Sequence, residues 1–251
     1  MKTGALLRLG LLALLAAFLA MPHSFAFLLQ PLTQNGQPAI YVQNSLLNLA
    51  LSHLGIVAIA TLAGSVVAIA LAILVSRPAG AEFLPLSRML ANVGQTFPPV
   101  AVLALAVPIL GFGAAPTLVA LFLYGLLPIF ENALTGLTSI PPQVEESARA
   151  SGMTETQRLL QVDLPLALPL IIAGVRLSVV IGIGTATIGS TVAASTLGEA
   201  IIAGLINGNL AFVVQGGVTV GVLAILAADL IGIAERWAIR RSGRSHAAIS
   251  A

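Results

Sequence analysis

The sequence predicts an all-α fold, a polytopic transmembrane helical bundle of about six spans with both termini on the cytoplasmic side. Three observations carry that prediction. Hydrophobic residues make up 58% of the 251 positions and charged residues only 8%, a balance that suits a chain solvated by lipid. Apolar stretches approaching the ~20 residues that cross roughly 30 Å of hydrocarbon recur along the chain. Within them Leu, Ala, Val and Ile run continuously, without the period-two alternation of a membrane β-barrel.

Taken in order, the spans fall near residues 5–21, 53–75, 91–110, 115–134, 165–192 and 212–234. The first is short, follows Lys2 and precedes Ser24-Phe25-Ala26, which fits a signal-peptidase site; cleavage there would leave five spans, with the direction of the others unchanged. Residues 22–48 are more polar, with Gln30, Gln34, Asn35, Gly36 and Gln37, and read as an external loop or interfacial helix. Pro98, Pro99 and Pro108 are expected to distort the third span. In the sixth, Gly217, Gly221, Ala224 and Ala228 have small-xxx-small spacing, which fits close packing inside the chain or a dimer seam.

Charge gives the direction. Lys2, Arg8, Arg77, Arg88, Arg149, Arg158, Arg236, Arg240, Arg241 and Arg244 share one side, and the opposite loops carry neither Lys nor Arg, so that side is the cytoplasm. The chain divides into an N-terminal anchor and external segment (1–52), a core transmembrane domain (53–235) with a cytoplasmic loop at 139–165, and a basic cytoplasmic tail (236–251). The net charge of +2 comes without clusters of basic and aromatic residues, which argues against a nucleic-acid partner. There is no cysteine, and His23, His53 and His246 lack ligand spacing, so no metal site is expected and the histidines read as interfacial or tail residues.

The loop between the fourth and fifth spans has the grammar of two short helices. Pro141 and Pro142 suit a first turn, and Glu145 and Glu146 then lie near the positive end of the helix dipole. Gly152 ends that helix, Thr154 and Gln157 form a capping box, and Pro165 disfavours continuation past Leu164. Small residues Ser147, Ala148, Ala150 and Ser151 shape the first arm to enter a groove on a partner protein. An amphipathic loop lying on the lipid surface fits the same grammar, and the residues alone leave both readings open.

This loop resembles the coupling motif of ABC-type importer permeases, Glu-Ala-Ala, three residues, Gly, nine residues, Ile-x-Leu-Pro. Here it reads Glu146-Ser147-Ala148, three residues, Gly152, nine residues, Val162-Asp163-Leu164-Pro165, departing by Ser for Ala and Val for Ile. The resemblance implies the type I importer permease fold, with coupling helices that dock into a cleft of an ATPase subunit through Glu146, Ala148 and Gly152. Further segments resemble the osmoprotectant subfamily, which imports glycine betaine, carnitine and choline. They are Gly94-Gln95-Thr96-Phe97-Pro98, Leu123-Tyr124-Gly125-Leu126-Leu127-Pro128-Ile129, Leu164-Pro165-Leu166-Ala167-Leu168-Pro169, Ala173-Gly174-Val175-Arg176 and Leu197-Gly198-Glu199-Ala200-Ile201-Ile202-Ala203-Gly204-Leu205. Methionine permeases and others share the coupling loop. Glu131 departs from the pattern, in which a basic residue is more usual.

The resemblance implies further partners: a solute-binding protein outside, a second permease chain, and the surrounding lipid. No cofactor is expected on this chain. Its one lysine is Lys2, and the nearest imitation of a phosphate loop, Gly184 to Thr191, has Ser190 where the lysine must stand, so ATP and Mg belong to the partner ATPase. Aromatics are only 5%, too few for an obvious quaternary-ammonium cage, which places solute selection in the external binding protein.

Ionisable residues within spans are functional candidates by default, and Glu131, Arg176 and Asp229 qualify. Arg176 is expected to pair with Glu131 or Asp229, as a structural ion pair in preference to a solute contact. Gln95, Thr96 and Pro98 are further pore or gate candidates, and Gly184, Gly189 and Glu199 fit a helix break at the outer mouth or simple close packing. An ion-coupled transporter built on the three charged residues is the rival reading, but no repeat is visible, and an intramembrane enzyme lacks a nucleophile and base.

Overall fold

The computed structural model describes residues 2–34 and 36–242, so Asn35, Arg244, His246 and the rest of the tail beyond Ser242 lie outside the described residues. All regular elements among the described residues are helical. They are α1 (Lys2–Ala20), α2 (Ala26–Leu29), α3 (Leu46–Val75), α4 (Leu84–Thr96), α5 (Pro99–Leu110), α6 (Ala114–Thr138), α7 (Pro142–Ala150), α8 (Glu155–Arg158), α9 (Leu164–Thr185), α10 (Gly198–Asn207) and α11 (Leu210–Ser242). Four stretches are long and apolar enough to cross a bilayer: Leu46–Val75, Ala114–Thr138, Glu155–Val192 and Leu210–Arg241. Two bent pairs raise the number to six, Leu6–Ala20 with Pro22–Leu32 at 110° and Pro78–Thr96 with Pro99–Leu110 at 96°.

The second bent pair corrects the third expected span, which was one run over 91–110. Consecutive prolines break it. Pro98 precedes Pro99 and is therefore held extended, at φ −60° and ψ 143°, where the helix cannot pass. Pro108, by contrast, sits inside α5 without ending it. α3 begins at Leu46, well before the expected start at 53, and this puts His53 inside a helix. It is fully buried, not interfacial, and its Nε2 is 2.9 Å from the Ile183 carbonyl. α11 runs on past 234 into the basic segment.

The chain forms two compact units. One takes the chain up to Ala60, Phe97–Leu121 and Val180–Ala227; the other takes Thr61–Thr96, Phe122–Val179 and the chain from Ala228. The core of the second is built on Ile129 and Phe130 of α6, both fully buried, against Ala68 and Ala72 of α3 and Ala167 of α9. Alanine at these positions lets helices approach closely, which is how apolar helices gain contact in a solvent as oily as themselves. In the first unit Leu49, Leu197 and Phe212 close a core on which Tyr41 packs edge-on, its ring centre 5.4 Å from that of Phe212. Exposed Leu7, Ile109 and Ile206 have no place in water and mark lipid-facing surface.

Gly94 of α4 shows how tight the helix contacts are, because a Cβ built there would overlap the Leu123 carbonyl of α6. Gly55 of α3 has open space at the same point. Gly94→Ala is expected to destabilise the detergent-solubilised protein by about 1–3 kcal/mol through overpacking. Gly55→Ala should be neutral or stabilising by up to about 1 kcal/mol. Thermal unfolding of the two variants side by side checks this, and equal midpoints would show that α4 and α6 are not in contact there.

Candidate functional site at a cytoplasmic elbow

The loop predicted to carry function folds as a helix, a corner and a second helix. α7 starts after Pro141, with Pro142 in its first turn and Glu145 near its positive end. At its far end the Gly152 N–H donates to the Arg149 carbonyl and the Met153 N–H to the Ala148 carbonyl, at 3.0 and 3.2 Å. That pair of bonds is a Schellman closure, and it requires the left-handed φ of +75° that Gly152 adopts. Thr154 then caps α8: its Oγ1 accepts from the Gln157 N–H at 3.2 Å, while its own N–H donates to Gln157 Oε1 at 2.8 Å. On α7, Glu146 and Ser147 are exposed, and Ala148 is buried within the chain.

The second arm corrects an expectation. Helix does not stop at Leu164; a π-helical turn over Leu159–Asp163 leads directly into α9, and Pro165 lies inside the continuous stretch Glu155–Val192. A widened π turn leaves room for the proline ring and absorbs its missing N–H, so the residue that was read as a stop becomes the first turn of a span.

The π turn also delivers a group that sequence reasoning passed over. Asp163 is 2% exposed, and its Oδ2 lies 2.7 Å from Arg77 Nη1 and 3.5 Å from Arg158 Nε. Arg158, itself buried, extends to Glu155 Oε2 at 3.0 Å. Asp163 Oδ1 and Arg158 Nη1 have no hydrogen-bond partner. One buried carboxylate thus ties the end of the elbow to Arg77, two residues past the end of α3. The readable signal was an acidic residue before one span and an arginine after another on the same side, since charges at the rim of a bilayer need partners.

The charged candidates pair differently than expected. Arg88 holds Glu131 with two bonds, Nε to Oε1 at 2.9 Å and Nη2 to Oε2 at 3.2 Å. Arg176 bridges Glu235 at 2.9 Å. Glu131 is thus held by Arg88, and Arg176 by Glu235, because α4 begins at Leu84 and carries Arg88, and α11 extends to include Glu235. Asp229 is half-buried on α11 and is also partnered. Gln95 donates to the Tyr124 carbonyl at 3.0 Å, and Thr96 bonds back to the Val93 carbonyl at 2.8 Å.

On the opposite face α9 does break after Thr185, continuing as a 3-10 helix over Ala186–Val192. The turn itself falls at Ala193, with a left-handed φ of +62°, not at a glycine. Gly189 lies against Thr117, and Gly184 has nothing near its missing Cβ. Thr196 closes the turn: it is fully buried, bonds the Ala186 carbonyl at 3.1 Å and lies 2.7 Å from Ser190 Oγ. Glu199, in the first turn of α10, accepts from Asn44 at 3.3 Å and from the Tyr41 phenol. Burial, and then the Glu199 carboxylate, push that phenol above its ordinary value, so it stays protonated and keeps donating. Gly217 and Gly221 face outward with nothing within 4 Å, so the small-residue stripe does not serve packing inside this chain at those positions.

A family model described as the binding-protein-dependent transport system inner membrane component matches residues 68–240. The chain belongs to that family. This permease is 40% identical over 189 residues to an osmoprotectant import permease protein of Salmonella typhimurium, covering 75% of this chain and 80% of that one. It is 38% identical over 181 residues to a choline transport system permease protein of Bacillus subtilis, covering 68% and 82%. A glycine betaine/carnitine/choline transport system permease protein of the same organism matches at 36%, with the same coverage. In fold the permease resembles the MetNI methionine ABC transporter in an inward-facing conformation, at TM-score 0.64 and 24% identity, covering 79% of this chain and 96% of that one. An amino acid ABC transporter solved with histidines gives the same TM-score at 16% identity, covering 76% and 92%. The permease is therefore a multi-pass inner-membrane subunit of an ABC importer, a transport component in a family named for its dependence on binding proteins.

Asp163→Asn would leave two arginines facing a neutral amide. The variant is expected to lose about 3 kcal/mol of stability, as removal of one partner from a buried pair does. Adding Arg77→Met should cost less than the separate losses predict. Thermal unfolding of the single and double variants tests this, and strictly additive losses would mean that the two residues do not act together.

Proposed function

We propose that this permease forms the membrane passage for a compatible solute such as glycine betaine, choline or carnitine. A separate ATPase that docks on the elbow drives it. The observation that carries the reading is the elbow itself: a Schellman closure at Gly152 and a capping box at Thr154 set two helical arms at a fixed corner, in a chain about 40% identical to an osmoprotectant permease. ATP and Mg act on the ATPase, a binding protein delivers solute from outside, and a second permease chain, identical or homologous, completes the passage.

In this scheme Glu146 and Ser147 meet the ATPase from the exposed side of α7, with Glu145 at the helix start. Ala148 seats the arm on its own chain, Gly152 sets the corner, and Leu164 and Pro165 carry the second arm into the membrane. A carboxylate at Glu146 suits a basic group on the partner. Glu131 and Arg176, each held in an ion pair, brace helices. Gln95, Thr96 and Pro98 at the broken span, Asp229 on α11, and Gly184, Gly189 and Glu199 at the outer turn are the candidates for passage and gate.

Gly152→Val should abolish ATP-coupled uptake while the protein still inserts, because a β-branched residue is strained at a φ of +75°. Gly152→Asn should retain most of it. Uptake into proteoliposomes of the whole complex measures both, and normal transport by the valine variant would remove the elbow from the mechanism. The solute is tested by competition: unlabelled glycine betaine, choline and carnitine should suppress uptake of labelled choline by the reconstituted complex, and methionine should not. Suppression by methionine alone would refute the assignment.

A further inference from the structure

Beside the elbow lies a cleft of about 360 Å³. One wall is Leu160, Leu164, Pro165 and Leu168 from the π turn and the start of α9; the other is Trp237, Ala238 and Arg241 of α11. We propose that this cleft binds an anionic phospholipid, with its phosphodiester at Arg241 and the first part of an acyl chain between Leu164, Leu168 and the Trp237 ring.

Depth is the first argument. Along α11 the exposed large apolar side chains are Leu210, Val218, Ile225, Leu230, Ile233 and Trp237, and the series stops there. Its length is roughly 40 Å of helix, which is the thickness of a bilayer with its headgroup layers. Trp237 therefore stands at headgroup level on the basic side, where an indole has its apolar body in lipid and its N–H in the polar layer.

Charge is the second. The Arg241 guanidinium lies 4.2 Å from the centre of the Trp237 ring, and Arg236 and Arg240 share the same end of the helix. The carboxylates of the ion pairs near this cleft, Glu155, Asp163 and Glu235, are engaged by Arg158, Arg77 and Arg176. None of the described residues that line the cleft is acidic. Basic residues just inside a span attract anionic lipid headgroups, and a stacked guanidinium presents its edge to a phosphate in a fixed direction. Exposure is the third: Leu160 is 60% and Trp237 46% exposed, so an aliphatic chain would cover surface on both walls.

The test uses the permease purified with its partner subunits, offered phosphatidylglycerol and phosphatidylcholine, with retained lipid measured by native mass spectrometry. The parent should prefer phosphatidylglycerol. Arg241→Gln should reduce that preference roughly fivefold. Trp237→Ala should also reduce it, while Arg240→Gln, the same change of charge at the same helix end but outside the cleft, should leave it intact. Unaltered preference in Arg241→Gln, or equal loss in both arginine variants, would overturn the site in favour of diffuse attraction. Displacement by soluble glycerol phosphate as readily as by phosphatidylglycerol would overturn the lipid as ligand. A photo-crosslinker at position 237 should capture lipid; capture of an ATPase, a second permease copy or this chain's own tail instead would also overturn the proposal.

Discussion

The carboxylate of Asp163 is the constraint around which the cytoplasmic end is arranged. A buried charge is costly without partners, and here two arginines from different parts of the chain meet it, one after α3 and one on the arm below α9. The elbow is consequently tied to the end of α3 and the start of α9 within its own unit. The π turn matters for the same reason: it rotates Asp163 inward while making room for Pro165, so that one local irregularity both aims the charge and lets the arm become a span.

The opposite end relies mainly on neutral groups. There the strip from Gln37 to Tyr41 is fastened by amides: Asn209 donates to the Pro38 carbonyl at 2.9 Å, Gln215 to the Ala39 carbonyl at 2.8 Å, and the Tyr41 N–H donates to Gln215 at 3.2 Å. Gln37 in turn reaches the Asn207 carbonyl at 2.8 Å. Tyr41 and Asn44 continue the line to Glu199. The outer loops carry no Lys or Arg to supply a counter-charge, so the one carboxylate on this line, Glu199, is met by an amide and a phenol instead. Amides answer the need because each can donate and accept without net charge.

Much of this was legible in the sequence, for identifiable reasons. Helical grammar is local, so the start at Pro141, the corner at Gly152 and the cap at Thr154 read correctly from neighbours a few positions apart. The break near Pro98 was visible as distortion, but the angle was not, since two adjacent prolines say where a helix stops without saying where the next one points. Ion partners were not legible, because they depend on helix ends: α4 begins early enough to carry Arg88 to Glu131, and α11 runs far enough to bring Glu235 to Arg176. The turn at Ala193 was not legible because alanine rarely adopts a left-handed φ, so nothing in its letter announces one.

The amide fastening of the outer strip has a consequence for divergence. Three of its four bonds are made to the strip's main chain, at Pro38, Ala39 and Tyr41, so the chemical information sits on Asn209 and Gln215 and not on the segment they grip. A relative that kept those two amides and the length of the segment would keep the seat with a different letter at the exposed position 38, whereas Ala39 and Ile40 are buried and held by packing. Mutational drift should accordingly be freer at Pro38 than at Asn209 or Gln215, while the buried Tyr41 stays tied to Phe212 and Glu199.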